Sequence, residues 1–269
     1  MRFAICNEIF QGWKIDDVFT HCARLGYGAV EVSPFTLAPH VTDIPATERT
    51  RIREAAARAG IAISGIHWVL VQTEGMHLTS PDPATRARTA RYFVDLVDFC
   101  ADLGGEVIVV GSPKQRSLAD GVTPAQGWAW MAETFRPSIK RAEERGVTIC
   151  LEPLPAEDTN FINTAEEAVR FAREQGSPRF KVILDVRPTK ADGSGGDVEF
   201  SAVFAPSRQN WLDFAPIFPG WETPTKEDRQ SAARKAWADR LSTAPGVLVT
   251  TDPGCKASPY FKQIGRANA

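Results

Sequence analysis

Ala101-Asp-Leu-Gly104, followed directly by Val107-Ile-Val-Val110, is a helix end, a glycine and then a β-branched run. Glycine suits a helix end because it takes the left-handed backbone conformation without a Cβ clash, which frees the chain to turn back as a strand. The same phrase recurs on both sides of this stretch. Upstream, Cys22-Ala-Arg-Leu-Gly26 precedes Ala29-Val-Glu-Val32, and Ala57-Arg-Ala-Gly60 precedes Ile61-Ala-Ile-Ser64. Downstream, Glu144-Arg-Gly146 precedes Val147-Thr-Ile-Cys-Leu151, and Arg173-Glu-Gln-Gly176 precedes Lys181-Val-Ile-Leu184. An opening strand near Arg2 to Cys6 brings the readable strands to six.

The helices between these strands are marked by period and by caps. Phe93, Leu96, Val97, Cys100 and Leu103 share one face, as do Trp128, Met131, Phe135 and Ile139, so both helices are expected to pack outside a sheet. Thr123-Pro124 reads as an N-cap with proline at the first helical position, and Thr164-Ala-Glu-Glu167 has the spacing of a capping box. The strands are short and almost continuously apolar, as parallel strands covered on both faces are, and their alternation with helices implies parallel crossovers. A chain of 269 residues matches the roughly 250 residues of an eight-unit barrel. The expected fold is α/β, a TIM-type (β/α)8 barrel forming a single domain over 1–269, with regular units over 1–186 and a divergent part over 187–269.

After Val186 the rhythm fails. Arg187 to Gly196 is polar and rich in glycine and lysine where a further helix and strand are due. A helical stretch returns around Thr225 to Leu241 and a late strand around Gly246 to Thr251, but Pro206, Pro216, Pro219 and Pro224 punctuate the region between. The barrel is therefore expected to be incomplete or rearranged after strand six.

Bulk properties exclude several classes. The composition is 43% hydrophobic and 24% charged, which suits a globular chain with a sizeable core and excludes disorder throughout. With 31 Lys plus Arg against 33 Asp plus Glu, no basic excess draws the protein to nucleic acid. No uninterrupted apolar run approaches the ~18 residues of a membrane span. Five scattered cysteines, Cys6, Cys22, Cys100, Cys150 and Cys255, mostly within apolar runs, read as buried thiols in a reducing compartment rather than a disulfide framework. The expected location is cytoplasmic. Gly193-Ser-Gly-Gly196 lacks the context of a phosphate-binding loop, and no nucleophile elbow is present.

In a parallel barrel the reactive groups sit where strands end and loops begin. At that address lie Asn7 and Glu8 after strand one, Glu31 late in strand two, His67 late in strand three, Glu152 after strand five and Asp185 after strand six. Glu152 and Asp185 follow consecutive apolar strands, which puts them side by side. Two close carboxylates repel unless one is protonated or a cation lies between them, and hard oxygen ligands suit Mg²⁺ or Mn²⁺. The structural alternative is a pair of separated acids bonded to basic side chains or backbone amides. His67, with Glu8 and the loop residues Glu157, Asp158 and Asn160, is a candidate for binding substrate hydroxyls, against the plainer readings of core filler and turn former. Trp13, Phe35 and Trp68 are candidate pocket lining.

Cys6-Asn-Glu-Ile-Phe10, Gly26-Tyr27 with Val30-Glu-Val-Ser-Pro-Phe35, Gly65-Ile-His-Trp68, Leu151-Glu-Pro-Leu154, Asn160 to Ala168 and Leu184-Asp-Val186 together give residues 1–186 a form that resembles the xylose-isomerase-like sugar phosphate isomerases and epimerases. The resemblance implies a divalent-metal enzyme of carbohydrate metabolism acting on polyols, ketoses or their relatives. Members of that family usually hold one metal through a glutamate after strand five, an aspartate after strand six, a histidine after strand seven and a glutamate after strand eight. Glu152 and Asp185 match the first two positions. All four histidines lie at or before position 77, so the third has no counterpart; for the fourth, Glu222 is a stand-in that lacks the preceding apolar strand, and Asp252 after Val247 to Thr251 is another.

The function so implied is isomerisation or epimerisation of a sugar or sugar phosphate at a carbon beside a carbonyl. Glu152 is the first choice for the base, and the metal stabilises enediolate charge. The rivals are a degenerate barrel that binds a sugar-like ligand without turnover and a keto-polyol dehydratase of the same fold. Phosphodiester cleavage at damaged DNA fits poorly, because it calls for several histidines and a basic groove. The expected partner is a small sugar or polyol, with no nucleic acid and no membrane; a homo-oligomer is left open.

Overall fold

The computed structural model describes residues 2–183, 203–204 and 247–251. Strands β1 (Arg2–Cys6), β2 (Ala29–Val32), β3 (Ala62–Ile66), β4 (Val107–Val110), β5 (Thr148–Leu151) and β6 (Phe180–Val182) alternate with helices α1 (Ile15–Arg24), α2 (Ala46–Ala59), α3 (Pro83–Asp102), α4 (Pro124–Arg145) and α5 (Ala165–Glu174). All six strands are parallel and adjacent in chain order, the βα architecture of a TIM-type barrel. On the far side of β1, β8 (Val247–Thr251) pairs parallel, and β7 (Val203–Phe204) pairs antiparallel with β8. The antiparallel β7 departs from the all-parallel rule of a regular barrel.

The glycines of the repeated phrase are helix stops. Gly26, Gly60, Gly104, Gly146 and Gly176 all adopt positive φ, between 65 and 87°, which an L side chain seldom takes. Both expected caps are formed: Thr123 and Thr164 each accept from the backbone three residues on while Gln126 and Glu167 reach back, closing two capping boxes. Asp82, which the sequence reading did not single out, caps α3 by accepting from Ala84 and Thr85. β3 begins one residue later and ends two residues later than the apolar run Ile61 to Ser64 suggests. Its extension passes through Gly65, where a Cβ would collide with the carbonyl of Val107 on β4, so a close approach of two backbones requires glycine there.

Strand parity divides the molecule into two cores. Val30, Val32, Ile66, Ile108, Val110, Ile149 and Leu151 pack outward against Phe19, Phe93, Leu96, Phe135 and Phe171 of the helices, where aromatic edges meet Phe135 from three sides. The residues of opposite parity, Val107, Val109, Cys150 and Ile183, form a small second cluster on the inner face. Outside, Arg49, Arg141 and Arg145 tie α2, α3 and α4 together through Asp98 and Asp102; being partly exposed, these pairs contribute modestly. No helix among the described residues is long and apolar enough to cross a membrane.

Candidate functional site

Parity also decides which polar residues face inward. Ile5, Val30 and Val32, Ile66, and Ile149 and Leu151 belong to the outer core. Cys6, Glu31, His67 and Glu152, which follow or alternate with them, therefore turn to the inner face at the carboxyl ends of β1, β2, β3 and β5. The ladder brings them into register: Cys6 lies opposite Glu31, and Glu31 opposite Gly65, two residues before His67.

The side chains meet. His67 Nδ1 lies 3.1 Å from Glu31 Oε2, and His67 Nε2 lies 3.9 Å from Glu152 Oε2. Cys6 Sγ is 3.1 Å from the Ser33 hydroxyl. Glu31 is 2% exposed and Glu152 6%, values carboxylates rarely reach without a charged or hydrogen-bonding environment. Ligand atoms of Cys6, Glu31 and His67 lie within 4.8 Å of one another. Burial acts to lower the His67 pKa, but the Glu31 carboxylate, the Cys6 thiol and Glu152 outweigh it and hold the imidazole well above its ordinary value. Burial pushes the Cys6 thiol up, opposed by its hydrogen bond to His67.

Glu152 is fixed from behind. Its backbone N–H donates to Val110 O, and its carbonyl accepts from Nη1 of Arg116, whose Nη2 donates to Ile162 O at 3.2 Å. Arg116 is wholly buried, and desolvation lowers its pKa to about 10, with Glu152 and Asp158 acting against that fall; it is still charged at neutral pH. Beside the carboxylate stands Gly111, where a Cβ would come 2.5 Å from Glu152 Oε2. The open space over Gly111 is the space the carboxylate occupies.

Of the residues singled out in the sequence, His67 and Glu152 are brought together, and Glu31 joins them. His67 lies one residue beyond the end of β3 rather than within it, with Trp68 stacked on it at 5.4 Å between ring centroids. Glu8 is half-buried in a short 3-10 turn after β1. Glu157, Asp158 and Asn160 are exposed in the loop after β5. The Asn160 amide spends both of its polar groups on Leu118, accepting from its N–H at 2.7 Å and donating to its carbonyl at 3.0 Å, which links this loop to the one after β4. Phe35 is half-buried and Trp13 half-exposed. Asp185, Glu222 and Asp252 lie outside the described residues. Sequence reasoning missed Cys6 as a site residue, and Arg116 and Gly111 altogether. Cys6 carried a signal only in its place as the last residue of strand one; Arg116 sits in a loop where nothing in sequence marks burial.

A family model described as a xylose isomerase-like TIM barrel matches residues 19–208. The D-psicose 3-epimerase of Ruminiclostridium cellulolyticum is 28% identical over 181 residues, which are 65% of this chain and 59% of that protein. The xylose isomerase of Thermus thermophilus is 26% identical over 182 residues, 59% of this chain and 46% of that protein. Among solved structures, a D-psicose 3-epimerase in the presence of D-fructose aligns with a TM-score of 0.58 at 25% identity, covering 68% of this chain and 62% of that one. The chain thus spans between 46 and 59% of the length of these two curated relatives.

Proposed function

The chain belongs to the xylose isomerase-like TIM barrel family, and from that premise we propose that it is a divalent-metal-dependent isomerase or epimerase of a ketose or related sugar, working through an enediolate. The observation that carries this reading is the Glu152 carboxylate, 6% exposed, at the carboxyl end of an inner strand with His67 facing it at 3.9 Å. Similarity to D-psicose 3-epimerases and xylose isomerases supports the substrate class.

Glu152 takes the proton from the carbon next to the carbonyl, and a base held by backbone bonds at Val110 and Arg116 meets that carbon without reorganising. His67 faces the same space and is the candidate to hold the substrate oxygen on which charge develops. Glu8, Glu157 and Asp158 are candidates for the more distant hydroxyls; Asn160 serves its loop. The donor chemistry at Glu152 fits a hard divalent ion, since carboxylate oxygen is the ligand Mn²⁺ and Mg²⁺ take. Glu152 and Asp185 would hold Mn²⁺ or Mg²⁺, and Asp185 has the same parity in sequence as the inward-facing Ile183. Such an ion would supply Lewis-acid stabilisation of negative charge developing on the substrate oxygens.

The test is incubation of purified protein with D-psicose, D-fructose, D-tagatose, D-xylose and their phosphates, with and without Mn²⁺ or Mg²⁺, and chromatography of the products. Metal-stimulated interconversion of at least one pair is expected. Ligand-dependent stabilisation with no product from any sugar would overturn the enzymatic reading and favour a binding barrel, and net loss of water would make the protein a dehydratase.

Gly111→Ala gives a sharper expectation. The added Cβ displaces Glu152 Oε2, the far end of a flexible side chain, so the fold changes little while the base moves. Turnover is expected to fall about tenfold or more, with melting temperature nearly unchanged by calorimetry. Equal activity in this variant would show that the carboxylate position is irrelevant to the reaction.

A further inference from the structure

We propose that Cys6, Glu31 and His67 form a divalent-metal site of their own beside Glu152, and that it takes a thiophilic ion, zinc foremost. Their ligand atoms already lie within 4.8 Å of one another. Cys6 and Glu31 are paired directly across the ladder, and His67, one residue past β3, donates its N–H to Val32 O at 3.1 Å, so backbone hydrogen bonds hold the donors in place.

The donor set selects the ion. One sulfur, one imidazole nitrogen and one carboxylate oxygen are the ligands of zinc, whereas Mg²⁺ takes oxygen and does not favour a thiolate. Three protein ligands leave a fourth position open, as in sites where zinc also binds water or substrate. Charge favours occupation as well. A thiolate and a carboxylate carry two negative charges, which cancel the ion's two positive ones, so the loaded cluster is neutral in a buried place where net charge is expensive. Loading releases the thiol proton of Cys6 and any proton that His67 shares with Glu31.

The surroundings are built to hold a thiolate. Ser33, fully buried, has its hydroxyl 3.1 Å from Cys6 Sγ. Ser33 is itself fixed by its N–H donating to Asn7 Oδ1 at 2.7 Å, while the Asn7 amide donates to Thr36 at 2.8 Å. A hydroxyl held this way orients and stabilises a sulfur ligand from outside the coordination shell. The competing account is a hydrogen-bonded cysteine, histidine and glutamate cluster that only joins three strands.

Cobalt separates the two. Untagged protein stripped by a chelator is titrated with Co²⁺, and a sulfur-to-cobalt charge-transfer band in the near ultraviolet is expected, because a pair of carboxylates has no sulfur and gives none. Cys6→Ser is expected to abolish the band and Cys22→Ser, in α1 and outside the cluster, to keep it. Glu31→Gln is expected to weaken cobalt binding about tenfold or more. Absence of the band from the wild-type protein overturns the proposal whatever the variants do, as does its survival in Cys6→Ser or unchanged affinity in a folded Glu31→Gln. The readout involves no turnover, so it stands apart from the outcome of the sugar panel.

Discussion

Glu152→Gln is expected to lower turnover of the responsive sugar by a factor of about 10² to 10⁴, the range ascribed to a positioned general base, while leaving the melting temperature within a few degrees of wild type. Glutamine has nearly the same shape as glutamate but has neither its charge nor its basicity. Besides the carboxylate's contact with His67, two bonds fix this residue through its backbone, from the N–H to Val110 and from Arg116 to the carbonyl, and both survive the substitution. The loss should therefore fall on kcat more than on KM, since the missing interaction is made in the transition state. Mn²⁺ affinity should weaken as well, because a neutral amide oxygen is a poorer ligand for a hard cation. A kcat within a factor of two of wild type, measured on a folded variant, would dismiss Glu152 as the base.

Much of the fold is legible in the sequence because two local rules agree. The repeated glycine marks each helix stop, and the five glycines of the pattern have the positive φ that the rule requires. The apolar runs then assign the strands, and parity alone foretells that Glu31 and Glu152 share the inner face. Strand bounds are less readable. β3 runs on through Gly65 and Ile66 because pairing with β2 and β4, a non-local matter, decides where it ends. Cys6 reads as a core thiol since burial is what its apolar neighbours encode; that it also faces Glu31 follows only from the β1 and β2 register. Beyond Val186 the alternation is lost in the sequence itself, and the antiparallel pairing of β7 with β8 has no counterpart in the βα pattern.

Arg116 shows what local pattern cannot carry, and its replacement has the largest expected effect on stability. A charged residue in the loop after β4 reads as solvated surface, yet it is fully buried and donates to carbonyls of Glu152 and Ile162 at the two ends of the β5 loop. Arg116→Met keeps the length and most of the packing and removes the donors. Two effects oppose. Desolvation, which lowers the arginine pKa to about 10, is relieved, and replacing buried charge by an apolar group is sometimes neutral. That holds only when the partners are replaced too, and here two buried carbonyls lose charged donors worth about 1.5–3 kcal/mol each. The carbonyl term wins, giving a net loss of about 3 kcal/mol and a fall in melting temperature of about 6–12 °C for a chain of this size. Arg116→Lys should recover part of it, since one ammonium reaches one carbonyl better than two. Because the same guanidinium fixes the backbone of Glu152, kcat should fall along with stability in Arg116→Met, even well below its melting point. Thermal unfolding within 2 °C of wild type would mean that water or another donor serves those carbonyls equally well.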